Sequence, residues 1–436
     1  MHWAAKTGRT LRALGLQALR RLGLLTALAA SLFLVAGSVQ RHDLFQVRAV
    51  VPKQDCEHFL PYSSDANHIW NRVHRRLLER RDRDGRLWGC DDVDPLLWQN
   101  TNHLLHGYTY KETVGLLDEF TSTHAEQLIR DPLARAIFQR DLWAVFDWLA
   151  GPLNGHEEQR AQLERRLAAV IKAVALTPDE IRHLPDNFAA LRGSTTSDDF
   201  ALPDPAAGWR LIGRDDGTPI APIHSYPFRR SLFLVYMKLP PGGPEPAAYL
   251  EAMRAYSREH PGSECIAPVR HCNPPQFPVG TQLALVRRAL LVDTTGRPVV
   301  SPITESVQLR RYLEIPAQFT IDWRGVMQRR AEFQITRRGL RRGEIALRRI
   351  AEDESQFQVF LTHGFDFEGP SVTLKRCSNC HQGIGVISFT SYSREQFENE
   401  HTFIMVHASD EGDESTAAIT YLESRESWKL LQRRMR

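Results

Sequence analysis

Cys377-Ser378-Asn379-Cys380-His381 sets two thiols three positions apart, with an imidazole directly after the second. That spacing suits three chemistries. Each thiol can form a thioether to one vinyl group of a single haem, and the adjoining histidine can supply an axial nitrogen to the iron. The same three residues can serve as three of a zinc ion's four ligands, the third under strain. A C-x-x-C pair can also cycle as a redox dithiol or close a plain disulfide, but a thioredoxin-like site needs a strand before it and a helix after it. After His381 the chain reads QGIGVISFTSY, a pattern of loop and strand. With six cysteines and seventeen histidines in 436 residues, random order would give such a run only about 0.003 times, so coincidence is a poor explanation.

The second axial position has several candidates. His401, Phe403, Met405 and His407 alternate along the chain and share one face if the segment is a strand. Met405 and His407 are therefore possible sixth ligands, and His363, in LTHGFDFEG, is another. An open or water-bound position is the remaining choice. The plainer readings are a core methionine on a strand and histidines that simply hydrogen-bond at the surface.

The segment CSNCHQG, residues 377–383, resembles the haem-attachment motif of c-type cytochromes. The resemblance implies thioether bonds at Cys377 and Cys380, axial ligation by His381 and one covalent haem c. It covers about the last 75 residues at most. A small cytochrome c opens on the helix that carries its motif and has its axial methionine far downstream. Here only 55 residues follow His381, and the resemblance supports the haem site better than the cytochrome fold.

Haem c is attached outside the cytoplasm, and the N-terminus bears on that. Residues 1–21 carry Lys6, Arg9, Arg12, Arg20 and Arg21 and no acid, and residues 22–39 are uncharged, with small residues at Ala36, Gly37 and Ser38. This is the pattern of a signal peptide, or of a single uncleaved membrane anchor. Either places the bulk of the chain in the periplasm or on the outer face of the inner membrane. Without those five cations the formal charge of +3 becomes −2, which argues against a nucleic-acid partner. A mean hydropathy of −0.36 excludes a multi-span membrane protein. Export also favours disulfides. Cys56 and Cys90 flank a predicted helix, and Cys265 and Cys272 enclose only IAPVRH; the expected bonds are Cys56–Cys90 and Cys265–Cys272.

The elements that must position the motif read as an α+β fold. Residues 1–39 are the leader, 40–185 a helical region, 186–355 a mainly β region of mixed or antiparallel pairing, and 356–436 the haem-c-like segment. In the helical region Asp65 opens one apolar-periodic run. Thr109 and Glu112 form a capping-box pattern, Asp131-Pro132 starts a further helix, and Thr177-Pro178-Asp179-Glu180 repeats the signal. Trp70, Trp88, Trp98, Trp143 and Trp148 read as bundle core. His103 and His106 read as polar positions beside a helix start rather than a ligand pair. SLFLVYMKL at 231–239 reads as a buried strand and residues 246–259 as a helix. TQLALVRRALLVD forms a hairpin across Thr294-Thr295-Gly296, and QFTIDW, AEFQITRR and QFQVFLTHG extend the sheet. Of the 55 basic residues 48 are arginine, with four doublets between Arg329 and Arg349. These are either solvated strand faces or sites that meet an acidic partner or haem propionates.

The expected function is an exported monohaem c-type protein that passes electrons to a redox partner protein. The alternatives are a haem-dependent, peroxidase-like oxidoreductase, for which His363 or His407 could act as distal acid or base, and a non-catalytic envelope protein whose C-x-x-C-H binds zinc or is oxidised. No other catalytic motif is present.

Overall fold

In the computed structural model, the described residues belong to one compact unit. Structure is described from residue 56 onward, apart from residues 83, 94–102, 152–154, 194–199, 226–227, 260–273, 316–327, 342–345, 358–369, 376–380, 382–384, 387 and 389–405. The leader, Trp98, Cys265, Cys272, QFTIDW, His363, Cys377, Cys380, His401 and Met405 lie outside the described residues. No helix among the described residues is long and apolar enough to cross a membrane.

Helix starts follow local chemistry. Helix α1 spans Ile69–Leu78 and is capped by His68, whose ring accepts from Trp70 N–H. Asp65 does not open it; its carboxylate accepts from Asn67 N–H in the turn before. Helix α2 runs Gly107–Ser122 with His106 at its N-cap and no side-chain cap bond, so the Thr109–Glu112 capping box does not form. Glu112 instead pairs with Arg76 of α1, and the helix is already under way when Thr109 is reached. Helix α3, Pro132–Leu149, begins as its sequence predicts: Asp131 accepts from Leu133 and Ala134 N–H, and Pro132 takes the first position, where no N–H is needed. After α4, Glu157–Ala173, the short α5, Pro178–Arg182, carries a complete capping box between Thr177 and Glu180. Helix α6 is Asn187–Gly193. Trp70, Trp88, Trp143 and Trp148 are all buried in this region, and Cys56 and Cys90 are joined by a disulfide.

The β part is antiparallel. Its seven-stranded sheet runs in the order β11-β3-β4-β5-β6-β7-β8. After a short ribbon of β1 (Arg80–Arg81) and β2 (Leu87–Trp88), the sheet strands are β3 (Arg210–Arg214), β4 (Ser231–Lys238), β5 (Gln282–Val292), β6 (Pro298–Tyr312), β7 (Gln328–Ile335), β8 (Leu347–Arg349) and β11 (Val406–Ala408). The β5–β6 hairpin turns through Gly296, whose φ of 80° suits a residue without Cβ. Ser355–Phe357 (β9) does not join this sheet; it pairs with Pro370–Val372 (β10) in a separate ribbon.

Period-two alternation divides the sheet into two buried faces. Leu234, Val286, Val307 and Phe333 are cross-strand partners in register and pack into the helical core with Trp70, Phe138 and Leu167. The opposite face presents Val235, Met237, Leu283 and Tyr312. Against them lie Tyr249, Leu250 and Met253 of α8 (Pro246–Glu259), together with Phe277, Val386 and Val406. Because both faces are covered, β4 reads as a continuous apolar run rather than an alternating one.

Buried ion pairs tie α3 to the rest of the chain, Arg230 with Asp147 among them. Arg140 of α3 donates to Glu305 of β6 through Nε at 2.9 Å, and both side chains are fully buried. Arg337, in α9 (Arg337–Arg341), donates to Asp141 at 2.5 Å and to Tyr62 at 3.0 Å. The chain end returns to the helices. Helix α10 (Glu411–Ser424) and helix α11 (Glu426–Met435) follow β11, and Trp428 lies 5.4 Å from Trp143 between ring centroids. Residues from all three sequence regions beyond 40 thus share the helical core.

Candidate functional site

His381 lies over the sheet face opposite the helical core. The sheet register explains what surrounds it: Met237, Leu283, Arg310 and Arg330 are successive cross-strand partners, and alternation points all four toward this face. Arg330 donates to the backbone carbonyl of His381 at 3.3 Å. The ring itself is fixed from the other side. Its Nδ1 is 3.0 Å from the carbonyl oxygen of Ser388. A carbonyl can only accept, so Nδ1 carries the proton and the neutral ring keeps its lone pair on Nε2.

Ser388 is the hub of this arrangement. Its hydroxyl donates to Gly385 C=O at 2.8 Å. A serine has one such proton, so the Tyr312 hydroxyl, 2.6 Å away, must donate to Ser388 Oγ. Gln328 adds a second donor to the same oxygen at 3.1 Å. Val386 and Ser388 have helical backbone, and Ser388 N–H bonds to Gly385 C=O at 3.1 Å. The loop and strand expected after His381 is therefore, in its described part, a helical turn. The Ser388 N–H is thus satisfied by this turn and not by a strand ladder.

A second imidazole belongs to the same site. His224 sits in α7, the four-residue helix Pro222–Ser225. Its ring is 6.1 Å from that of His381 between centroids, with planes 15° apart. Phe233 of β4 supports it at 5.9 Å. Burial pushes the His224 imidazole down to about 3, helped by the cations of Arg310 and Arg287. Burial likewise holds His381 well below the usual histidine value, with Arg310 the next cause. Both rings are thus neutral nitrogen donors at neutral pH. Arg287 is itself held over Phe228 at 3.9 Å.

The remaining sequence candidates fall elsewhere. His407, on β11, has its Nδ1 2.9 Å from the Asp215 carboxylate and is half-exposed. His103 lies in a single 3-10 turn, His103–Leu105, and burial pushes it down to about 3. His106, the N-cap of α2, meets the His156 ring edge-on at 4.3 Å. The arginine doublets are not simply solvated faces. Arg337 is buried on Asp141, Arg348 makes two 2.6 Å bonds to Glu354, and Arg330 reaches His381. His224, Arg310, Tyr312, Gln328 and Ser388 escaped the sequence reading. A usable signal existed for one of them: Tyr312 alternates with Arg310 on a predicted strand. His224 is a lone histidine in a proline-rich stretch and gives none.

No known protein family, curated protein or solved structure matches this chain.

Proposed function

We propose that this is an exported monohaem c-type protein that carries single electrons to or from a redox partner. The observation that carries the reading is the state of His381. It closes a C-x-x-C-H run, is buried, and donates from Nδ1 to a carbonyl, the arrangement by which a protein orients a metal-bound imidazole through its other nitrogen. In this reading Cys377 and Cys380 hold the haem covalently and His381 supplies an axial nitrogen. The haem supplies a one-electron couple whose potential the axial ligands and surroundings tune. Arg310 and Arg330, whose charges already act on the His381 ring, supply the positive field that propionate groups would meet.

The test is a pyridine haemochrome spectrum of the full chain, expressed with a haem-c maturation system. A haem c α-band is expected from the wild type, and none from Cys377→Ala/Cys380→Ala. An intact wild-type protein with no α-band would overturn the reading. Stoichiometric zinc in that preparation would favour the zinc alternative, and neither metal would leave a structural disulfide.

A further inference from the structure

We infer that Arg310, with Arg330 beside it, is a binding site for a small oxyanion, a carboxylate or a phosphate. The inference does not rest on the functional reading above and uses only described residues of the sheet. Arg310 of β6 and Arg330 of β7 are direct cross-strand partners, and like charges placed opposite one another repel. Arg330 is already fixed: its Nη2 donates to Gln328 Oε1 and to the His381 carbonyl, both at 3.3 Å. Arg310 is the member left to bind. Its Nη1 is shut off from water and has no hydrogen-bond partner among the described residues, a costly state for a charged donor. The side chain as a whole is only half-buried, so an ion from solution reaches it without opening the core.

The acids of this part of the sheet are engaged elsewhere. Glu305 pairs with Arg140 and Arg287, and Glu354 pairs with Arg348. Burial raises the Glu332 carboxyl, and Gln334 donates to it at 2.7 Å. What Arg310 acts on instead is the pair of imidazoles. After burial it is the leading cause that holds both His224 and His381 down, so both rings feel its charge. A guanidinium presents parallel N–H groups at the spacing of the oxygens of one carboxylate or phosphate. An oxyanion on that fork would give the Arg310 donors their partner and screen Arg310 from Arg330.

A titration of the full chain tests the site. The chain is made without a haem-c maturation system, so that no propionate competes. Sodium phosphate, sodium succinate and sodium chloride are compared at constant ionic strength, by melting temperature and calorimetry. Millimolar phosphate or succinate is expected to raise the melting temperature saturably, and chloride to leave it unchanged. Arg310→Gln should weaken that binding about tenfold or more. Arg311→Gln removes the same charge one residue along, on the opposite face of the strand, and should bind as the wild type does. Arg310→Lys keeps the charge without the fork and should still lose most of the affinity. In the wild type, the ring resonances of labelled His224 and His381 should move on binding, while that of the exposed His183 stays. Should Arg310→Gln not fold, that measurement decides by itself. A melting temperature indifferent to both oxyanions, equal losses in Arg310→Gln and Arg311→Gln, or unmoved His224 and His381 resonances would overturn the site. The same titration on haem-loaded chain separates the sources of the oxyanion: a lost response marks a propionate as the occupant, and a retained one a free anion.

Discussion

Individual side chains around His381 are tied together closely enough for small changes to be read. Tyr312→Phe removes a buried donor from Ser388 Oγ and should lower stability by about 1 kcal/mol, seen as a lower urea midpoint at unchanged slope. Gly385→Ala should do more, because a Cβ there would overlap the Gln276 side chain and its φ is 49°. A different titration governs the helical region. Burial raises the Glu79 carboxyl to about 7, in contact with the buried His74 ring. The native protein therefore holds this proton more tightly than the unfolded chain. The resulting stability is fully present below pH 4.5 and is lost as pH rises through 7, up to about 3 kcal/mol. Glu79→Gln should accordingly raise the melting temperature at pH 8 and leave it nearly unchanged at pH 4. At this scale the sequence reveals His381, since five adjacent residues carry the chemistry. It conceals His224, Tyr312 and Ser388, because their meeting is made by the packing of a helix, a strand and a turn far apart in the chain, and not by spacing along it.

Elements obey their start signals where nothing competes for the capping side chain. Asp131 caps α3 unopposed, and Asp131→Ala should cost about 1 kcal/mol by denaturant titration. Thr109→Ala should change stability by no more than a few tenths of a kcal/mol, because Thr109 makes no cap. The contrast is instructive, since the two positions look alike in sequence. What differs is where the helix starts: α2 begins at Gly107, so Thr109 already lies inside it, and Glu112 pairs with Arg76 on the neighbouring helix. The strands were more legible than the helix caps. SLFLVYMK, the β5–β6 hairpin and AEFQI fall on strands of one sheet, because apolar runs and a turn at Gly296 leave few alternatives, whereas the Arg337-Arg338 end of AEFQITRR turns into α9. The shift in register between Arg287 and Leu290 was not legible. That irregularity lets Glu305 meet both Arg140 and Arg287.

Across the whole molecule, buried charge does much of the joining. Arg140→Ala leaves the buried Glu305 carboxylate with only the Ser231 hydroxyl and the more distant Arg287, 3.4 Å away, and should cost about 3 kcal/mol. Arg140→Met/Glu305→Leu should recover a large part of that loss in a double-mutant cycle. Reduction of Cys56–Cys90, 34 residues apart, should lower stability by about 3–4 kcal/mol through the freed loop. The C-terminal helices add a consequence for how the chain reaches this state. Lys172 donates to the Met435 carbonyl across 263 residues, Arg434 pairs with Glu164, and Trp428 completes the wall beside Trp143. The first helices cannot finish burying themselves until the last residues arrive, which makes folding slow and late-closing in order of synthesis. A chain halted before residue 426 would expose Trp143 and be open to proteases, while the cysteines at 377 and 380 would already have emerged.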